Sequence, residues 1–464
     1  MADIVFDDKV NQLYLLKLWE TKSWKNLRVS VFYFLGCLLC IYGCKDDAKG
    51  EEFDPSKPVV IDRFYPESSK GQGELFIYGE NFGTDISKIN VTVSGKKAIV
   101  IGSNGHCIYC VVPIRAGDGK VSVRIGNTEE HVFDKEFKYE YQLRVGTLCG
   151  FTDKDGKTAR VDGTLKEAQF EAPYWLEIDD NGDLFLLENN RSVRRISIDG
   201  DKVSTLLVGG QGQGISSMHS MCFSPTKDTL LVANQVQGDD NGKAVVMLFK
   251  DKGYSGAVGS YGVLAKGKGC DAVAMHPQDG TCFFTQRADG YVYKLDDPVT
   301  GKKSQHVTDG NSDMYYAMQF HPSGDFVYLT AENKHVVFKS TYNRETRSLS
   351  KPLLLCGARR NDEYNVQWSD GVGEAAKFSQ PRQGTFDEEG NFYVCDRYNH
   401  CIRKISPEGK VETFAGRPNE KGYADGELTK AQFNQPSGIV YVKETKTFYI
   451  ADENNYRIRT ITAE

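Results

Sequence analysis

Asn391–Ser406, NFYVCDRYNHCIRKIS, followed by Lys410–Gly416, KVETFAG, is the stretch on which the fold turns. Apolar residues alternate from Phe392, break at a polar corner, and alternate again to Ile405, which reads as strand, corner, strand, turn, strand. The phrase recurs as Asp183–Ser197, DLFLLENNRSVRRIS, with Lys202–Leu206, KVSTL, and again as Thr447–Ile461, TFYIADENNYRIRTI. Ahead of each copy stands a second shared phrase: DGTLKEAQFEAP (Asp162–Pro173), DGVGEAAKFSQP (Asp370–Pro381) and DGELTKAQFNQP (Asp425–Pro436). A unit of this length, repeated with its punctuation, is one supersecondary module used several times.

Three weaker copies keep the frame in between: Met221–Asn234, Ala274–Gln286 and Met318–Ala331. Aligned on Asp396, the six second-strand ends are Glu188, Asn234, Gln286, Ala331, Asp396 and Asp452. The first, fifth and sixth copies resemble NHL repeats, most of all in Asn399–Ile405, NHCIRKI. Six such units imply a six-bladed NHL-type β-propeller over residues 141–464. The last copy stops after its third strand at Ile461, while Arg144–Gly150, RVGTLCG, matches KVETFAG with no blade ahead of it. The strand at 143–149 is therefore expected to pair with the last blade and remove the open edge.

Long connections fall between the outer strand of one copy and the inner strand of the next. They emerge, with the second-to-third-strand corners, on one face, where a scaffold of this kind presents a site. The residues opening the inner strands should ring the channel mouth there: Tyr174, His219, Asp271, Tyr316, Arg382 and Ser437, with Trp175 and Tyr315 adjacent. Aromatic rings with polar tips beside His, Asp and Arg suit stacking on a sugar or peptide with hydrogen bonds around it. The alternative is that they line a water-filled mouth. Glu188, Asp396 and Asp452 are expected to accept hydrogen bonds from the corner backbone, as acids in turns do. His276 and His321 precede proline in turns on the opposite face, and His400 belongs to the corner phrase.

Residues 1–43 carry a basic flank (Lys22, Lys25, Arg28) ahead of a short apolar run, Val29–Gly43, which reads as a signal peptide. Its end, Ile41-Tyr42-Gly43-Cys44, resembles a bacterial lipobox, implying lipidation at Cys44. Lys45-Asp46-Asp47 resembles the surface-export signal of Bacteroidota lipoproteins. Residues 44–57 are polar and read as a tether. Residues 58–140 alternate apolar residues with glycine turns and read as a small β-sandwich. Gly79–Gly83 (GENFG), Val112-Pro113 and Gly119–Val123 resemble the IPT/TIG immunoglobulin-like family, which implies a spacer or interaction module without catalytic residues. His106 and His131 are then surface polar residues. The fold class is all-β: an immunoglobulin-like (IPT/TIG) β-sandwich followed by the propeller.

Composition agrees: 24 Tyr, 25 Phe and 46 Gly against 14 Pro favour strands and many turns. A net charge of −6 with no basic stripe argues against nucleic acid as a partner. Cys107 and Cys110, three apart on a strand, face opposite ways and do not suit each other. The cysteines from Cys149 to Cys401 occupy small apolar positions of the repeats and are expected as buried thiols. Asp153–Gly156 and Asp179–Asp183 look calcium-like but lack the downstream glutamate, so they read as turns. There is no nucleophile elbow, P-loop or dinucleotide fingerprint. Some six-bladed propellers are metal-dependent lyases or lactonases; only His219 and Asp271 fall on the ring here, so no catalytic residue, metal or cofactor is assigned. The resemblance implies a non-catalytic lipoprotein, lipid-anchored at the cell surface in the outer membrane, that binds a glycan for a polysaccharide-uptake system. A protein–protein scaffold and a metal-dependent lyase or lactonase are the alternatives.

Overall fold

The structure is a computed structural model that describes residues 50–153, 155–210, 214–235, 242–267, 269–286, 290–297, 302–307, 314–360 and 367–464. The expected signal peptide and Cys44 lie outside the described residues. The chain divides into two compact units between Glu140 and Tyr141.

In the first unit two sheets enclose one core. One runs in the order Val60–Tyr65, Glu74–Glu80, Cys107–Val111, Ile99–Ser103. The other runs Ser68–Ser69, His131–Tyr139, Gly119–Ile125, Ile89–Val93, Lys96–Lys97. Strand alternation turns Leu75, Ile77, Val91, Ile108, Val121 and Val123 inward, all fully buried. Cys110 is buried with them, Cys107 is half-buried, and both are free thiols. The stretch expected as a free tether is fastened from Glu51 onward. The Glu51 N–H donates to the Asn104 carbonyl at 3.1 Å. The Asn81 carboxamide donates to the Asp54 and Lys57 carbonyls at 2.9 and 2.8 Å and accepts the Asp54 N–H at 2.8 Å. Asn81 sits in the left-handed region (φ 61°), which Asn tolerates, so the GENFG turn folds its side chain back onto the entering chain.

In the second unit the strands form six sheets, blades 1 to 6 in chain order, with inner strands Pro173–Ile178, Met218–Phe223, Val273–Met275, Tyr316–Phe320, Pro381–Phe386 and Pro436–Val442. Blade 5 shows the pattern: inner strand Pro381–Phe386, then Phe392–Asp396, Cys401–Ile405 and outer strand Lys410–Ala415, with Gly371–Val372 added along the outer edge. The second strand is buried along its whole length because blades pack on both its faces, so it reads as a continuous apolar run. Leu143–Cys149 pairs antiparallel with Arg457–Ala463, Val145 opposite Ile461, and so supplies the outer strand of blade 6. The first and last strands of the unit thus share one sheet, which closes the ring.

Blades 1, 5 and 6 share a charged network that alternation alone does not reveal. Arg194, Arg403 and Arg459, on the third strands, are fully buried against equally buried Glu188, Asp396 and Asp452 at 2.9, 2.8 and 2.7 Å. Each arginine also reaches the Asp of its D-G phrase, Asp162, Asp370 or Asp425, at 2.8, 2.8 and 2.5 Å. A threonine on each outer strand, Thr205, Thr413 or Thr147, donates to that same Asp at 2.9, 3.1 and 3.1 Å. Thr147 belongs to the closing strand, so the blade 6 network joins the two ends of the propeller. The strand-end acids do accept backbone N–H groups, from Glu171, Ser379 and Asn434. Those donors lie on the chain entering the inner strand, not in the corner, which corrects the expectation. The principal partner of each acid is the arginine, because a buried carboxylate persists only when paired and hydrogen-bonded.

The histidines of the turns and corners tie neighbouring blades together. His276 Nε2–H donates to the Gly324 carbonyl at 3.1 Å, from blade 3 to blade 4. His400 Nδ1 accepts the Gln435 N–H at 3.1 Å, from blade 5 to blade 6. Burial and the nearby Lys421 and Arg397 push the His400 imidazole down to about 4, so it is neutral at neutral pH. Asp179 Oδ1 accepts the N–H groups of Asn181 and Asp183, and Asp153 Oδ1 those of Asp155 and Lys157; both are hydrogen-bonded turns.

Candidate functional site

The site is aimed by irregularities at the entry of the inner strands. In blade 1 Pro173 pairs with Glu188 and Trp175 with Leu187, so Tyr174 is one residue too many for the ladder. The same extra residue appears between Met218 and Ser220, between Pro381 and Gly384, and between Pro436 and Gly438. A β-bulge of this kind releases a side chain from the alternation and re-aims it. Tyr174, His219, Arg382 and Ser437 are the residues so released. Blade 4 has no bulge: Tyr316 pairs directly with Ala331 and Ala317 with Thr330. Tyr316 therefore stays in the ladder and packs into the core, 3% exposed, and meets the cavity only as part of its buried wall.

Around the axis a cavity of about 240 Å³ is lined by Tyr174, Trp175, His219, Asp271, Tyr315, Tyr316, Ala317, Gln380 and Arg382, with Asn190, Glu332 and Asn333 from the corners. Tyr174, His219, Tyr315, Glu332 and Arg382 are half-buried and form its accessible front. Trp175 lines the wall from behind: it is 4% exposed, and its indole N–H donates to the Met221 carbonyl at 3.0 Å, joining blades 1 and 2. Ser437 is fully buried and off the cavity surface, under Arg382 at 3.4 Å and donating to Glu453. Asp271 is buried at the blade 3 wall.

Arg382 is the best-anchored group of the front. Its Nε–H donates to Glu332 at 2.9 Å and Nη1 to Glu453 at 3.1 Å. Arg397 grips the same Glu453 through Nε and Nη2, both at 2.9 Å. Burial alone would raise the Glu453 carboxyl; Arg382 and Arg397 hold it below the usual carboxylate range. Burial works against the Arg382 charge, but Glu332 and Glu453 outweigh it and hold its pKa above the usual arginine value. The guanidinium lies over the Tyr174 ring at 4.6 Å, and the Tyr174 hydroxyl is pushed up to about 12, chiefly by burial. With its charge already met by two carboxylates, Arg382 presents a fixed hydrogen-bonding edge instead of an open anion receptor. Tyr174 and His219 meet edge to face at 6.5 Å, and His219 Nε2 lies 3.0 Å from both Ser217 Oγ and Gln235 Oε1. Among the described residues no three His, Cys, Asp or Glu side chains converge as a metal site.

Glu332 and Glu453 escaped the sequence reading. Both stand one position past the second-strand end, as Arg397 does in blade 5. That position changes from copy to copy, but so does the strand end beside it, so the sequence does not single it out.

Sandwich, closed six-bladed propeller and bulge-built axial cavity define a two-domain β-protein of recognisable type. Residues 58–141 match the family model for the IPT/TIG domain. An auxiliary nutrient binding protein of Bacteroides thetaiotaomicron is 34% identical, and its structure matches 89% of this chain and 99% of that one with a TM-score of 0.69. An auxiliary nutrient binding protein of Bacteroides ovatus is 29% identical over 89% of this chain and 100% of that one, with a TM-score of 0.78. The human NHL repeat-containing protein 2 is 35% identical over 97 residues, which are 20% of this chain and 13% of that protein. The chain belongs to the same family as the B. thetaiotaomicron auxiliary nutrient binding protein.

Proposed function

We propose that this chain is an outer-membrane lipoprotein, anchored through Cys44, that binds a glycan in the axial cavity on behalf of a polysaccharide-uptake system. The observation that carries the reading is the coincidence of the bulged inner-strand residues with the cavity. Tyr174, His219 and Arg382 differ from copy to copy, are lifted out of the ladder, and converge there. An aromatic face, a fixed guanidinium edge and carboxylates are what a ring of hydroxyls requires. The two Bacteroides relatives, both auxiliary nutrient binding proteins, support a nutrient as the ligand. Among the described residues no helix is long and apolar enough to cross a membrane; the proposed anchor rests on the lipobox-like Ile41–Cys44.

Two experiments test this. A glycan array probed with the chain from residue 45 should give saccharide signals that Tyr174→Ala removes. Retention of a protein partner with no saccharide signal would replace the reading with a docking scaffold. In cells, Cys44→Ala should abolish fatty-acid labelling and protease-accessible surface display; unchanged labelling would contradict the anchor.

A further inference from the structure

The axial cavity is a pit with a floor. One step deeper than the ring, Leu176, Met221, Val273, Met318 and Ile439 are at most 2% exposed and belong to the cores between adjacent blades, and Gln383, next to Arg382 on blade 5, is 1% exposed. Gln383 is the telling one, because a carboxamide on an open channel would be wet. It leaves blade 5, reaches past blade 6 and closes on blade 1. Its Oε1 accepts the Leu176 and Ile439 N–H groups at 2.9 and 3.1 Å, and Nε2 donates to the Leu176 carbonyl at 2.6 Å. Blades 1, 5 and 6 are thereby drawn together directly beneath Arg382 and Tyr174. Gly438 records how close they come: a Cβ there would lie 3.0 Å from Gln383 Oε1, from the Trp175 Cα and from the Tyr174 carbonyl. On the other side Trp175 is tied to Met221 at 3.0 Å, and Ser220 Oγ accepts the Val273 N–H at 3.1 Å.

The dimensions fit the same picture. About 240 Å³ is less than the roughly 300–1,000 Å³ of pockets that engulf a drug-sized molecule, so there is room for a single small ring. Corner residues Asn190, Glu332 and Asn333 stand round its mouth on the corner face. A unit inside a polymer must leave its site in two directions, whereas a floored pit with one mouth lets the chain leave in one. We infer that the cavity receives the terminal unit of a saccharide chain and not a stretch of its interior. The inference rests on the glycan reading above and adds which part of the glycan is held.

The test is titration calorimetry of the chain from residue 45 with di-, tetra- and octasaccharides of a neutral α-1,4-glucan, β-1,3-glucan and β-mannan, with cyclic glucans as the endless counterparts. For the series that binds, one protein should bind per oligosaccharide at every length. Affinity should change by less than about threefold from tetramer to octamer, and the cyclic form should not bind. A bulky cap on one chosen end should weaken binding at least about tenfold while a cap on the other end leaves it unchanged. Binding of the cyclic form, several proteins on one octasaccharide, or indifference to caps at both ends would overturn the end-recognition inference while leaving the glycan reading intact. Binding that survives Tyr174→Ala in a folded protein would place the ligand elsewhere and overturn it too. Silence across all three series would count against the glycan reading itself.

Discussion

Blades 1, 5 and 6 and blades 2, 3 and 4 hold their sheets together by opposite means. In the first group a fully buried arginine meets a fully buried acid. Strand pairing identifies the equivalent positions in the second group: Asn234 with Val246, Gln286 with Tyr293, and Ala331 with Phe338. Both members have changed in every case. The reason is energetic: losing one partner strands the other as an uncompensated buried charge, whereas replacing both by neutral or apolar groups is tolerated. Asn234 keeps the part of the acid's job that needs no charge, accepting the Ser216 and Ser217 N–H groups at 3.0 and 3.3 Å. A blade therefore needs a filled interior here, and charge is one of two ways to supply it; the side-chain acceptor is kept at Asn234 and absent at Ala331.

The comparison can be broken most forcefully in blade 5. Arg403→Ala leaves Asp396 buried without its cation and should cost about 3–5 kcal/mol, read as a lowered midpoint in chemical denaturation. Copying blade 2 by combining Asp396→Asn with Arg403→Val should cost less than Arg403→Ala alone. A double variant at least as unstable would mean that the network is needed for more than charge balance. Next in size is the cavity front, where Tyr174→Ala should weaken saccharide binding by about tenfold or more, or at least about 1.4 kcal/mol, with little change in the denaturation midpoint. Behind it, Trp175→Phe removes the bond to the Met221 carbonyl and should cost about 1 kcal/mol of stability without altering affinity, separating wall from front.

A separate effect concerns pH. His400 is depressed in the fold, to about 4 from an ordinary value near 6.5, so the unfolded chain takes up the proton first. Its contribution to stability is complete above about pH 6.5 and is lost progressively as pH falls toward 4. His400→Asn, a residue that tolerates the left-handed corner (φ 56°), should flatten that part of the stability–pH curve. An unchanged slope would assign the acid sensitivity to other groups.

Much of the fold was legible because the repeat spells it out. Alternation marked the strands, the shared phrases fixed the frame, and the unmatched RVGTLCG lies on the strand that pairs with the last blade. The arginine network was not legible from alternation, since Arg403 in CIRKI looks like an ordinary polar position on a half-exposed strand. Comparing the copies would have exposed it: every copy with a strand-end acid carries an arginine six or seven residues on, and the others lack both. The ring positions were legible in kind but not in aim. Bulges turn Tyr174, His219 and Arg382 to the axis, while Tyr316, in an uninterrupted ladder, reaches the cavity only from its buried wall. Whether a strand carries a bulge depends on its pairing partner, which the local sequence does not display. The anchoring of residues 51–57 was hidden for a similar reason, because Asn81 that holds them is distant in sequence.

With the site proposed above, the propeller divides into a repeated frame that provides stability and a few re-aimed residues proposed to bind the ligand. Saccharide affinity measured side by side for wild type, Tyr174→Ala and the Asp396→Asn/Arg403→Val pair tests that division most directly. The account predicts that Tyr174→Ala loses about tenfold or more in affinity while the blade 5 pair binds as wild type. Equal binding by Tyr174→Ala, or loss of binding in a folded blade 5 pair, would contradict it.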